Sequence, residues 1–350
     1  MSTLSEFDPI RPFEPEELPE VFERLLNNEQ FRKVIAFIMP EMSFDVFATR
    51  MRECKTGLEF QHTFCYGFLE KLLSKASKSC DFDVSAIGNQ GRFTFISNHR
   101  DIVLDSAFLD KLLIDAGFTT TCEIAIGDNL LSLPWIKDLV RVNKSFIVER
   151  NLPMRQMLAA SRRLSEYMHY AVNVKHENVW IAQREGRAKD SDDRTQEAVL
   201  KMMAMGGTGS AVERLIQLHI VPLTISYEFD PCDYLKAQEF QLKRDVQGWK
   251  KSPQDDLVSM QTGIFGYKGR IHYQCAPCLD NYLTQLDPAL PKTELYASVA
   301  AFIDRQIHRN YRLYPCNYVA LDLLRGSTAY RSAYTDVDQT AFEQYIRGQL

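Results

Sequence analysis

Between residues 92 and 225 the chain alternates short apolar runs with stretches of helical periodicity, and few architectures accept that order. Residues 92–97, 120–126, 146–148, 179–182 and 220–225 are brief runs rich in β-branched or aromatic side chains, as strands are. Between them, residues 102–115, 130–140 (interrupted near Pro134), 196–205 and 211–218 carry helical spacing. Met154, Met157, Leu158, Leu164, Tyr167, Met168 and Ala171 mark the face of one more helix. Strands and helices in alternation bury their apolar faces best as an α/β sheet with helices on both sides. Upstream, Leu18, Val21, Phe22, Leu25 and Leu26, then Phe64, Phe68, Leu69, Leu72 and Leu73, recur as on helices. Downstream, residues 270–273 predict a strand, and 295–308 and 341–346 predict helices. The expected division is an N-terminal helical segment at 1–84, an α/β domain at 85–285 and a mostly helical extension at 286–350.

The 350 residues, 45% of them hydrophobic, suffice for a full core. A formal net charge of −5 gives no global basic field for nucleic acid, so any anion must be met by local arginines. Apolar runs such as 34–39 and 220–225 fall far short of the ~18 residues that span a bilayer. The acidic, proline-rich start lacks the basic and apolar regions of a signal peptide. The expectation is a cytoplasmic protein, soluble or lying on a membrane face. Eight scattered cysteines do not make a disulfide scaffold. Cys275-Ala-Pro-Cys278 has redox or zinc-knuckle spacing, with His272 the nearest further ligand type, but a structural zinc wants four ligands. Two free thiols behind a strand is the expectation. Gly206-Gly207-Thr208-Gly209-Ser210 lacks the lysine of a P-loop and the order of a nucleophile elbow, and reads as a turn between helices.

The run from Phe95 breaks at Ser97-Asn98-His99, and two acids, Asp101 and Asp105, follow. Residues just past a strand's C-terminal end occupy the usual ligand crevice of an α/β sheet. A neutral imidazole there can take a proton from an attacking hydroxyl, and a carboxylate beside it fixes the tautomer and stabilises the imidazolium. By itself the stretch fits better a simple turn in which Asp101 caps the next helix.

The order of further motifs extends the reading. Ser97-Asn98-His99-Arg100 with Leu104-Asp105, Phe146-Ile147-Val148-Glu149-Arg150, Trp180-Ile181-Ala182-Gln183-Arg184-Glu185-Gly186-Arg187, and Ile220-Val221-Pro222 with Tyr227 follow one another along the chain. In that order they resemble the four motifs of the glycerolipid acyltransferases, the glycerol-3-phosphate and 1-acylglycerol-3-phosphate O-acyltransferases of the lysophospholipid acyltransferase superfamily. Gly269-Arg270-Ile271-His272-Tyr273 is similar to the family's late strand, and the resemblance covers roughly residues 85–285. It implies a mixed sheet flanked by helices, as in glycerol-3-phosphate acyltransferases.

The resemblance implies that His99 is the general base and Asp105 its partner. It implies that Arg150, Glu185, Gly186, Arg187 and Pro222 form the substrate-binding motifs, with Arg150 and Arg187 on the acceptor phosphate and Glu185 organising its loop. Arg100 and Arg194 are further phosphate candidates, because a guanidinium meets phosphate with two hydrogen bonds. The co-substrate would be acyl-CoA or acyl carrier protein, and no metal or bound cofactor is implied. The acceptor would be glycerol-3-phosphate or 1-acylglycerol-3-phosphate, at a membrane surface. Two departures stand out. Five residues separate His99 from Asp105 where the family has four, which leaves Asp101 as a rival partner. Arg187 follows Gly186 directly, where the family has one residue between them. These departures keep open a weak or inactive lipid-binding relative, and the same dyad could serve N-acylation of an amine.

Overall fold

In the computed structural model, which describes residues 4–131, 133–150 and 152–349, seven strands form one sheet. They are β1 (Ser79–Asp83), β2 (Thr94–Ser97), β3 (Cys122–Gly127), β4 (Ser145–Val148), β5 (Asn178–Ala182), β6 (Ile220–Tyr227) and β7 (Arg270–Cys275). Their spatial order is β1-β7-β6-β2-β5-β3-β4. The pairs from β6 to β4 are parallel, whereas β7 runs antiparallel to β6 and carries β1 parallel to itself. The sheet is therefore mixed and flanked by helices, the architecture expected from the sequence.

Side chains of a strand point alternately to its two faces, and the central strands divide accordingly. Phe95, Trp180, Val221, Leu223 and Ile225 enter one core with the helices Tyr66–Ala76 and Leu104–Asp115. Ile96, Val179, Ile181 and Ile220 enter the other, against the helices Met154–Asn173, Glu197–Met203 and Lys292–Asn310. Both faces are covered, which is why these strands read as continuous apolar runs. A third core joins the helices Leu18–Leu26, Glu29–Ile38 and Phe44–Glu53 to Val142 and Trp135. Its first helix buries Leu18, Val21, Phe22, Leu25 and Leu26, the residues whose spacing predicted it.

Several elements differ from expectation. The helix expected at 130–140 is a short 3-10 turn, Asp128–Leu130, followed by a helix Pro134–Val142. Proline lacks an amide proton and suits a first helical turn rather than an interior one, so Pro134 starts the helix. β1 lies within the stretch expected to be helical, and as an edge strand it packs only Cys80 and Phe82 inward. The helices Asp233–Asp245, Pro253–Phe265 and Pro315–Arg325 carried no clear sequence signal, and the first buries only Lys236. Leu295, Val299, Ile303 and Ile307 share a core with Ile96 and Ile181, so the expected C-terminal extension also builds the sheet's own interior.

Candidate active site

His99 leaves β2 at its C-terminal end, and the fold fixes that exit point. The Asn98 side chain donates to the Ile225 carbonyl (2.9 Å) and accepts from the Ile225 amide (2.8 Å), tying the loop to β6. The His99 ring stands on the same side as Trp180, in an edge-to-face contact with centroids 5.6 Å apart. Its Nδ1 lies 2.8 Å from Asp105 Oδ2, and the ring is mostly buried. Among the described residues Nε2 has no hydrogen-bond partner, so it is the nitrogen open to a substrate.

Asp105 sits in the first turn of the helix Leu104–Asp115 and is wholly buried. Besides His99, its Oδ2 accepts from the amides of Arg100 (2.6 Å) and Asp101 (3.0 Å). Its Oδ1 accepts from the Tyr227 hydroxyl at 3.2 Å. Burial, reinforced by Tyr273 and Asp105, keeps that hydroxyl protonated and donating. Two backbone amides on one oxygen form a small loop at Arg100 and Asp101. Through that loop Asp105 reaches the ring across the five residues that separate it from His99.

Asp101 faces elsewhere. Its Oδ1 accepts from the amides of Val103 (2.9 Å) and Leu104 (2.8 Å) and caps the helix. Its other oxygen is pressed against Gly263, where a Cβ would come within 2.0 Å of it. Burial, with Asp105 nearby, raises its carboxyl above the usual range.

Of the remaining sequence candidates, Arg150 follows the C-terminal end of β4, Glu185, Gly186 and Arg187 follow that of β5, and Pro222 lies inside β6. Arg187 is buried, and its Nη1 has no hydrogen-bond partner among the described residues. Gly186 before it adopts φ +69, a left-handed conformation open to glycine, and this turns the chain inward to Arg187. Glu185 points to solvent, its amide held by Gln196 Oε1 at 2.9 Å and its carboxylate 3.6 Å from Arg150 Nη1. Arg150 follows β4, and its guanidinium packs against Gly127, where a Cβ would lie 2.9 Å from Nε. Arg194 pairs with Asp192 in solvent. Arg100 is buried and engaged by Ser191 Oγ (2.8 Å) and Asp230 (3.0 Å). Pro222 is buried beside Ile96, below the strand end, and is not part of the crevice. Its carbonyl accepts from Ala276 where β7 has ended, so the missing amide proton interrupts no ladder bond.

Sequence reasoning missed the charges that surround this group. Lys236 donates to Asp230 and to the Arg100 carbonyl (3.0 Å). Burial lowers the Lys236 ammonium, while Lys236 and Arg100 outweigh the burial of Asp230 and hold its carboxyl low. Lys268 is fully buried, held by the carbonyls of Ile264 (3.1 Å) and Gly266 (2.7 Å), and burial brings it down to about 8. A lone lysine on a polar helix, Lys236, and another in the loop before β7, Lys268, gave no pattern to follow. Tyr227 stood within the fourth motif, but its contact with Asp105 depends on strand pairing.

Among curated proteins, none matches this sequence. The fold aligns with the crystal structure of the 1-acyl-sn-glycerophosphate (LPA) acyltransferase PlsC from Thermotoga maritima at 12% identity and a TM-score of 0.42, covering 84% of this chain and 97% of that one. Residues 81–226, from β1 to the end of β6, match the model of the Acyltransferase family. This span contains His99, Asp105, Arg150, Arg187 and Pro222, and it is the part of the chain that is similar to the acyltransferase family.

Proposed function

We propose that the chain transfers a fatty acyl group from a thioester, acyl-CoA or acyl carrier protein, to the hydroxyl of glycerol-3-phosphate or 1-acylglycerol-3-phosphate. The observation that carries this reading is the His99–Asp105 pair, closed at 2.8 Å through Nδ1, at the C-terminal end of a central strand. With Nδ1–H held by a carboxylate, Nε2 carries the lone pair and takes the acceptor hydroxyl's proton. The oxygen attacks the thioester carbonyl, the C–S bond breaks, and the imidazolium returns the proton to the departing thiolate. Asp105 offsets the transient ring charge. This route needs no acyl-enzyme.

Arg187 supplies a buried guanidinium with an unused Nη1, suited to the acceptor phosphate. Arg150, beside the same crevice and half-exposed, is its complement. Peripheral attachment to the cytoplasmic membrane face is part of the reading. It is supported by Met154 and Leu158, 87% and 68% exposed at the start of the helix that follows β4, at the crevice end of the sheet. Among the described residues, no helix is long and apolar enough to cross a membrane. Vesicle flotation tests the attachment, and wild-type protein left at the bottom of the gradient would remove it.

The test of function is thiol release from an acyl thioester with a panel of phosphorylated and amine acceptors. His99→Ala should lower turnover about a hundredfold to ten-thousandfold with the fold intact. A folded variant with wild-type release, or release only with amines, overturns the proposal.

A further inference from the structure

At the end of the sheet opposite His99, three donor atoms of different chemistry converge. His219 precedes β6, and Cys278 and Asp280 follow β7. One ligand atom from each lies within 4.8 Å of the other two. His219 stands 61 positions before Asp280, with Cys278 and Asp280 on one segment; β2 bonds to the first and β6 to the second. Thr94 donates its amide to the His219 carbonyl (3.2 Å), and Leu279 donates its amide to the Ile220 carbonyl (2.8 Å). His219 is in the left-handed region at φ +46, a conformation that histidine adopts more readily than most non-glycine residues. Nδ1 and Asp280 Oδ2 are 2.7 Å apart. Asp280 Oδ1 is shielded from solvent without a well-aligned hydrogen-bond donor. Cys275, the other half of the C-x-x-C pair, is buried with Ile271 and Tyr273 and contributes nothing to this group, and His272 pairs with Asp81 instead.

We propose that His219, Cys278 and Asp280 form a binding site for a single divalent cation of borderline softness, with zinc the best fit. Imidazole, thiolate and carboxylate together match the ligand preferences of Zn²⁺, and three protein ligands leave a fourth tetrahedral position for water. The ring of His219 is partly open to solvent, which provides the entry path. Zinc bonds of roughly 2.0–2.3 Å place neighbouring ligand atoms roughly 3.3–3.7 Å apart, so the Nδ1–Oδ2 contact opens by well under 1 Å. Binding releases the Cys278 thiol proton to solvent, together with the imidazole proton where the ring is charged, so uptake strengthens as pH rises. The ion would staple the segment after β7 to the start of β6. Strand rise places it roughly 20 Å from the end of β6 near His99, away from the acyl-transfer chemistry.

The test uses the full chain, stripped with chelator and dialysed against buffered Zn²⁺, with metal counted by mass spectrometry. Wild type should hold one equivalent and gain several degrees in Tm, while Cys278→Ser and Asp280→Asn hold little and gain nothing. Cobalt(II) in place of zinc should give a thiolate charge-transfer band that Cys278→Ser abolishes. The control Cys316→Ser, at a buried thiol elsewhere, should keep both. Wild type with no zinc above the Cys278→Ser level, equal uptake by both proteins, or a cobalt spectrum without a thiolate band overturns the proposal.

Discussion

Asp105→Asn separates charge from shape at the His99 dyad. The asparagine oxygen can occupy the Oδ2 position and still accept from His99 Nδ1 and from the amides of Arg100 and Asp101. Its NH₂ then faces the Tyr227 hydroxyl, which can accept. The loop therefore survives, and what disappears is the negative charge beside the ring. A unit charge about 4 Å from an imidazolium, at an effective dielectric of about 20, is worth roughly 4 kcal/mol. That corresponds to a loss of up to about a thousandfold in kcat. Asp101→Ala is the matched control, because Asp101 contacts the amides of Val103 and Leu104 and not the ring. It should lower stability by about 0.5–2 kcal/mol through the lost cap and spare most of the rate. Thiol release under saturating donor and acceptor gives kcat, and urea unfolding gives stability. If Asp105→Asn stays within about threefold of wild type, or if Asp101→Ala loses more kcat than Asp105→Asn does, the assignment of Asp105 as the charge partner is refuted.

Arg187→Ala should raise the acceptor KM about tenfold to a hundredfold, the worth of one charge-assisted hydrogen bond, and leave the thioester KM near wild type. Equal weakening of both substrates would show that Arg187 does not hold the acceptor phosphate. A second expectation concerns pH. Burial, opposed by the Cys122 amide and Lys144, pushes the Asp110 carboxyl up to about 7. The folded chain then holds a proton that the unfolded chain has released, so stability falls as pH rises from about 4 to 7, by on the order of 2–4 kcal/mol. Asp110→Asn should flatten that slope in urea unfolding at pH 5 and pH 8. An unchanged slope would place the pH dependence elsewhere.

What the sequence made legible was whatever depends on local spacing. The central strands are buried on both faces, so their apolar runs were plain, as was the periodic face of the helix Leu18–Leu26. His99 and Asp105 lie six positions apart at a strand-to-helix junction, close enough for one motif to hold both. Asp105 was preferred for its place after Leu104, with Asp101 as a rival, and the side chains put Asp105 against the ring while Asp101 accepts from the Val103 and Leu104 amides. Lys236, Asp230 and Tyr227 reach the site only through tertiary packing, more than a hundred positions beyond Arg100 and Asp105. The edge strand β1 and the helix Asp233–Asp245 were obscure because each buries too little to impose a period. Pro222, a motif residue in the right order, lies within β6 beside Ile96.

The Asn98 side chain behaves as one more rung of the sheet. Its amide meets both backbone groups of Ile225, so β2 and β6 stay in step beyond the last residue of β2. A carboxamide gives from its nitrogen and receives at its oxygen, matching the two backbone groups of Ile225, whereas an aspartate would set a lone pair against the Ile225 carbonyl. The histidine that follows thus inherits the stiffness of the central strands instead of the latitude of a loop. Tyr227 stands two residues past Ile225 on the same strand and touches Asp105. Imidazole, carboxylate and hydroxyl are consequently indexed to a single strand. A displacement of β6 would carry the hydroxyl and, through Asn98, the histidine with it.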